Sequence, residues 1–199
     1  HLWRPAFKDE TLPDADELRL ALQCVGMQHL ELDVEQSRIR FDQSGMLLDF
    51  GGIGKGYAAQ KALDLLREFG CPSALVDLGG DLAIGDPPPG MKGWRVMIDT
   101  GLQLPHEVVL ANVGVATSGD QFRYLEVDGV RYSHIIDPRT GYGLTKRVAV
   151  TVIAPEPWLA DALASAASVM GQSGLERLRA AFPQAQIFLS EAPDMPQNP

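Results

Sequence analysis

The sequence predicts an α+β fold, a mixed or antiparallel sheet rich in hairpins with helices packed against it. Strand-like segments come in pairs joined by short polar turns, not in strict alternation with helices, which argues against a doubly wound sheet. The sharpest pair, residues 122–127 and 130–136, flanks Asp128-Gly129, a dipeptide suited to the left-handed conformations of a two-residue hairpin turn.

From the front, residues 14–25 carry leucines at 18, 20 and 22 behind acidic residues, the pattern of a short surface helix with a favourably charged start. Leu30-Glu31-Leu32-Asp33 and Arg38-Ile39-Arg40-Phe41-Asp42 alternate around a polar turn and read as a hairpin, with residues 46–50 as a third strand running into glycines. Ala58, Ala62, Leu65, Leu66 and Phe69 recur at helical spacing until Gly70 and Pro72 stop the helix. Strand signals return at residues 74–76, 94–98 and 108–111, around a proline-rich surface loop at 85–90. The two-residue turn at Asp128-Gly129 fixes a register in which Glu126 faces Arg131 and Arg123 faces His134. Residues 148–154 form another strand. Pro157 opens a helix to Met170 that is apolar on nearly every face, hence buried, and Gly171 closes it. A second helix at 175–182, a strand at 187–189 and a loose tail at 191–199 complete the chain. A single domain spanning 1–199 is expected, with the chemistry in about 47–171.

The formal net charge of −9 argues against a phosphate-tracking nucleic-acid binder, so any phosphate must be met locally. No apolar run approaches the roughly eighteen residues of a membrane helix. Cys24 and Cys71 have no CxxC spacing and read as buried free thiols, not as a zinc site or a disulfide framework.

Four constellations carry chemistry. Asp49-Phe50-Gly51-Gly52-Ile53-Gly54-Lys55-Gly56-Tyr57 joins a strand end, a glycine-rich loop and a helix start, which is an anion cradle: glycines admit a ligand close to the backbone, the helix start offers N–H groups, and Lys55 adds charge. It is not a Walker A motif, since Asp49 and Gly56 occupy the positions of the required Gly and Ser/Thr. The plain alternative is a tight turn of glycines at positive φ. Leu78-Gly79-Gly80-Asp81 is a second glycine turn. Ala116-Thr117-Ser118-Gly119-Asp120 leads into the hairpin, whose far strand ends His134-Ile135-Ile136-Asp137-Pro138-Arg139-Thr140-Gly141. A turn explains Asp137 and Thr140 as local backbone caps. His134 opposite Arg123 is a poor structural pair and a reasonable phosphate-binding one, although a histidine in an apolar strand is commonly structural. Last, Asp161 and Ser165 lie four apart on one face of the apolar helix. A buried carboxylate needs compensation, and a divalent cation with oxygen ligands would supply it. The alternative is a half-exposed Asp161 stabilised by its own helix dipole.

Residues 49–57 (close to D-x-G-G-I-A-K-G-Y), Gly79-Gly80-Asp81, Thr117-Ser118-Gly119-Asp120, residues 134–141 (H-I-I-D-P-x-T-G) and residues 150–153 before Ala160-Asp161-Ala162-Leu163 together resemble the FAD:protein FMN transferases, the ApbE or flavin transferase family. The order and spacing of the motifs agree as well. The resemblance implies an ApbE-like, T-fold-related architecture and Mg²⁺-dependent transfer of FMN from FAD to a Ser/Thr hydroxyl of an acceptor flavoprotein, with AMP leaving. It implies Mg²⁺ on Asp161, Ser165 and the Gly54 carbonyl. It places Gly51, Gly52, Lys55, Gly79, Gly80, Asp81, Thr117, Ser118, Gly119, Asp120, Arg123, His134 and Ile135 at the cofactor; in the mechanism expected from this, His134 or the nearby Asp137 handles the proton, and Lys55 neutralises the pyrophosphate with Arg123 or Arg139 assisting. Trp3 matches an aromatic near the family's nucleotide site. Two positions depart from the family: Ser165 stands where Thr is usual and Gly54 where Ala is usual, each keeping the ligand type. The family's usual Met-Gly-Thr segment is not seen before His1, so an incomplete flavin side of the pocket is expected. By the same resemblance the enzyme is exported to the periplasm or the outer face of the bacterial inner membrane and modifies a respiratory or membrane redox complex. A Mg²⁺-dependent FAD pyrophosphatase, a non-catalytic FAD-binding protein or fragment, and a partner-binding protein with a structural glycine loop are the alternatives.

Overall fold

The computed structural model describes residues 2–99, 106–119 and 123–192. In chain order the elements are α1 (Trp3–Asp9), α2 (Ala15–Leu22), a 3₁₀ turn (Met27–His29), β1 (Leu30–Asp33), β2 (Arg38–Phe41), α3 (Gly54–Glu68), β3 (Leu75–Asp77), β4 (Leu82–Ile84), β5 (Trp94–Ile98), β6 (His106–Leu110), β7 (Val113–Gly119), β8 (Tyr124–Val127), β9 (Val130–Ser133), β10 (Val148–Ala154), α4 (Pro157–Ala181) and β11 (Gln186–Glu191). Every strand pairing among the described residues is antiparallel. The α+β expectation holds. No helix among the described residues is long and apolar enough to cross a membrane.

The chain gathers into two compact units, residues 1–49 with 123–145 and residues 50–122 with 146–199. In the first, Asp14 caps α2 by accepting the backbone N–H groups of Asp16 and Glu17 at 3.0 Å each. β8 and β9 pair in the register that the turn dictates, Glu126 opposite Arg131, with Asp128 (φ 51°) and Gly129 (φ 75°) both left-handed. Phe122, included in this hairpin by its sequence, lies outside the described residues, and the regular pairing of β9 stops at Ser133. The indole N–H of Trp3 donates to the Gly141 carbonyl at 2.8 Å, and its ring lies 5.9–6.3 Å from those of Phe7, Tyr132 and Tyr142. Helix α1 has no counterpart in the sequence expectation. Residues 46–50 correct that expectation: among the described residues they join no sheet. Met46, Leu47 and Leu48 instead line a cavity of about 520 Å³ with Trp3, Leu18 and Ile136.

The second unit is built on a five-stranded sheet in the order β11-β10-β7-β4-β3. One face is covered by α4, whose Leu159, Ala160, Leu163, Ala164 and Ala167 pack on Val150, Val152 and Ala154. On the other, Val96 and Ile98 of β5 meet Ile84, Val115 and Ile153. With both faces covered, β10 is buried at all seven positions, which explains its continuous apolar run. Pro157 opens α4 as expected. Gly171, expected to end it, adopts φ 61° and kinks it, and helix resumes to Ala181. The apolar stripe that marks α3 as a helix is not its buried face: Leu65 and Phe69 are exposed, whereas Gly56, Ala59 and Leu63 are buried. Small residues win that face because α3 approaches α4 closely there. Cys24 and Cys71 are free thiols, but Cys71, in the turn that ends α3, is exposed and Cys24 only half-buried.

Candidate anion and metal site

The glycine loop enters α3 through one tight reversal, in which the N–H groups of Ile53 and Gly54 both donate to the Phe50 carbonyl at 3.1 and 2.7 Å. None of Gly51, Gly52, Gly54 and Gly56 has positive φ, so the loop is not a turn that needs glycine for its dihedrals. Its glycines serve close approach. A β-carbon on Gly52 would lie 3.0 Å from the Ser165 hydroxyl oxygen, and one on Gly56 would lie 2.3 Å from the Pro157 carbonyl and 2.8 Å from the Asp161 β-carbon.

Helix α3 has no side-chain cap from its own segment. Asp161, 5% exposed on α4, supplies one: its Oδ2 accepts the Gly56 N–H at 3.0 Å. The alternative of a half-exposed Asp161 served by its own helix is thereby corrected, since the compensation comes from the start of α3. Lys55, in that same first turn, places its ammonium 2.8 Å from Oδ2 of Asp81, which is 2% exposed. Burial pushes the Asp81 carboxyl above the usual carboxylate range and the Asp161 charge adds to this, while the bond to Lys55 and the Thr117 backbone N–H oppose it. Gly79 (φ 67°) and Gly80 (φ 92°) form the turn that the sequence suggests. The start of α3 therefore brings together Gly52, Lys55, Gly56, Asp81, Asp161 and Ser165. Thr117 and Ser118 lie on β7 opposite Thr151 and Val150 of β10, and the Thr117 and Thr151 hydroxyls are 2.9 Å apart. Asp120 lies outside the described residues.

Among the described residues no three His, Cys, Asp or Glu side chains cluster as a metal site. The oxygen set still fits a hard cation whose shell a phosphate completes. Asp161 and Asp81 are two buried carboxylates, the Asp161 charge disfavours ionisation of Asp81, the Lys55 ammonium offsets this at Asp81, and the Gly52 position leaves open the space beside the Ser165 hydroxyl that a β-carbon would fill.

Arg123, His134, Ile135 and Asp137 belong to the other unit. Arg123 does face His134, through its main chain: its carbonyl accepts the His134 backbone N–H at 3.2 Å and lies 3.0 Å from Nδ1. A carbonyl only accepts, so the neutral ring carries its proton on Nδ1 and presents Nε2 as the acceptor. Asp137 is the turn cap that the sequence suggests, accepting the Arg139 N–H at 2.8 Å. The Arg139 guanidinium grips both its oxygens at 2.6–3.1 Å, and that bond, partly opposed by burial, holds the carboxyl below its usual range. A carboxylate so held is a weak base. The stabilisation from this pair is full above the ordinary carboxylate range and lost only as pH falls through the lowered value. In Arg139→Gln the Asp137 carboxyl should titrate at higher pH than in the parent by carbon NMR; an unmoved titration would show that Arg139 is not the cause.

Closely packed glycines and buried carboxylates at a helix start are thus carried on an antiparallel α+β fold. The chain belongs to the ApbE family, whose model matches residues 1–189. The FAD:protein FMN transferase of Treponema pallidum is 38% identical over 201 residues, covering 92% of this chain and 55% of that protein. That of Escherichia coli K12 is 33% identical, covering 86% and 51%. Among solved structures, the ApbE protein of Thermotoga maritima superposes with a TM-score of 0.79 at 34% identity, over 90% of this chain and 60% of that one. The flavin transferase ApbE of Vibrio cholerae gives 0.79 at 28%, over 92% and 59%. The chain spans about half the length of the curated relatives it matches.

Proposed function

We propose that this chain carries the pyrophosphate-handling part of an enzyme that moves FMN from FAD to a protein hydroxyl. The observation that supports this best is the start of α3, where Lys55 and the Asp161-capped helix end converge in a segment matching the family's glycine loop. In this reading an acceptor Ser/Thr oxygen attacks the phosphorus on the FMN side of FAD, and the bond from that phosphorus to the oxygen bridging to AMP breaks. AMP leaves. The loop backbone and Lys55 bind and orient the pyrophosphate, and His134 accepts the hydroxyl proton at Nε2. Asp161, Ser165 and the Gly54 carbonyl would hold Mg²⁺, which when bound supplies positive charge to the pyrophosphate oxygens. Arg139, committed to Asp137, is a weaker candidate for phosphate than Lys55. The acceptor is proposed as a flavoprotein of a respiratory or membrane redox complex, met on the outer face of the inner membrane.

The test is incubation with FAD and Mg²⁺, with and without an acceptor flavoprotein, followed by mass analysis. Transfer predicts an acceptor heavier by one FMN and an equal amount of AMP, only when acceptor is present. Free FMN and AMP without acceptor would replace it with a pyrophosphatase, intact FAD held by the protein with a binding role, and the absence of any FAD-induced thermal shift would remove the flavin reading.

A further inference from the structure

Resting on that reading, we infer that Asp81 is a positioning residue, whose buried carboxylate anchors the Lys55 ammonium at the glycine loop and does not itself touch the substrate. The Gly-Gly-Asp segment is a reversal between β3 and β4. The Gly80 N–H donates to Asp77 Oδ1 at 2.7 Å, and the Leu78 N–H donates to the Asp81 carbonyl at 3.0 Å. Gly79 and Gly80 hold the positive φ that this reversal requires and that glycine takes without strain. What the reversal achieves is to turn Asp81 inward. At 2% exposure Asp81 has almost no surface to offer a substrate, whereas the Lys55 side chain is half exposed.

Their 2.8 Å contact therefore joins a hidden carboxylate to a reachable ammonium. Asp81 Oδ2 has no hydrogen bond among the described residues beyond this ion contact, so Lys55 is the group that compensates this oxygen, while the Thr117 backbone N–H also serves the carboxyl. An ammonium has three donors, and one given to Asp81 leaves two for phosphate oxygens while fixing where they start from. A free lysine would have to be ordered at each turnover; a tethered one is already placed.

The experiment is a double-mutant cycle of Asp81→Asn, Lys55→Met and the pair together, read in FMN transfer and in the proton–nitrogen NMR signal of the Lys55 ammonium, identified by its loss in Lys55→Met. Positioning predicts that Asp81→Asn lowers kcat about ten- to hundredfold with KM for FAD changed less than about twofold, and that the double variant is no worse than Lys55→Met alone. The Lys55 ammonium signal, visible in the parent because hydrogen bonding slows its exchange, should vanish in Asp81→Asn. A rise in KM that dominates the loss, or additive losses in the cycle, would overturn the inference in favour of direct contact with FAD. If the parent protein transfers no FMN, the proposed function fails, and the NMR signal alone decides: an ammonium peak unchanged in Asp81→Asn would sink the anchoring role.

Discussion

Asp161→Ala should lower AMP release from FAD by at least about a hundredfold, since the cation charge on a pyrophosphate is worth several kcal/mol in the transition state. Two losses are combined in that substitution. It removes the carboxylate from the proposed Mg²⁺ set, and it strands the buried Gly56 N–H that Asp161 Oδ2 accepts, costing about 1–3 kcal/mol of stability. Asp161→Asn separates them. The amide keeps an oxygen for Gly56 and gives up the charge, so its melting temperature should stay nearer the parent's while its AMP release falls as far as that of Asp161→Ala. Calorimetric titration with Mg²⁺ in the presence of ADP gives a reading without turnover, and both variants should lose the heat of cation binding. Unchanged AMP release in Asp161→Ala would overturn the metal assignment.

Which parts of the molecule the sequence exposes follows from how locally each is determined. The Asp128-Gly129 turn fixes the register of β8 and β9 through two left-handed residues, so Glu126 opposite Arg131 is readable without coordinates. The same register puts Arg123 against His134, but the group that engages the ring is a carbonyl, and main-chain acceptors leave no mark in residue identity. Strand β10 is legible because burial on both faces leaves an apolar run. Its neighbour β7 lies at the centre of the same sheet and goes unread as a strand, because Gly114, Ala116, Thr117, Ser118 and Gly119 are small. Gly114 is small for a long-range reason: a β-carbon there would lie 2.3 Å from the Pro157 α-carbon, a contact that local periodicity cannot show.

The site divides in the same way. Asp161 in an apolar helix declares that something must compensate it, and the sequence offers a cation or its own helix. The observed partner, the start of α3, comes from residues 105 positions away. Lys55 is legible as a candidate phosphate ligand, but its tether is not, because Asp81 looks like the end of an ordinary glycine turn until β3 and β4 bring it beneath α3.

Gly56→Ala should destabilise the protein by about 3 kcal/mol, at the upper end of overpacking costs, and lower its melting temperature by roughly 6–12 °C. Two effects compete. Within a helix alanine is ordinarily favoured over glycine by up to about 1 kcal/mol, which would stabilise α3. Against it stands a β-carbon 2.3 Å from the Pro157 carbonyl oxygen, backbone at the first turn of α4 that cannot rotate away, with the Asp161 β-carbon 2.8 Å off on the same side. The clash wins because relief requires α3 and α4 to separate, and that same movement pulls Asp161 Oδ2 from the Gly56 N–H. Gly54→Ala is the matched control: its added β-carbon would meet only the Phe50 β-carbon at 3.9 Å, an ordinary contact, so its melting temperature should equal or exceed the parent's. Thermal melts followed by circular dichroism give both numbers. A Gly56→Ala protein melting with the parent would mean that the two helices are not in the close contact that aims Asp161 at the start of α3.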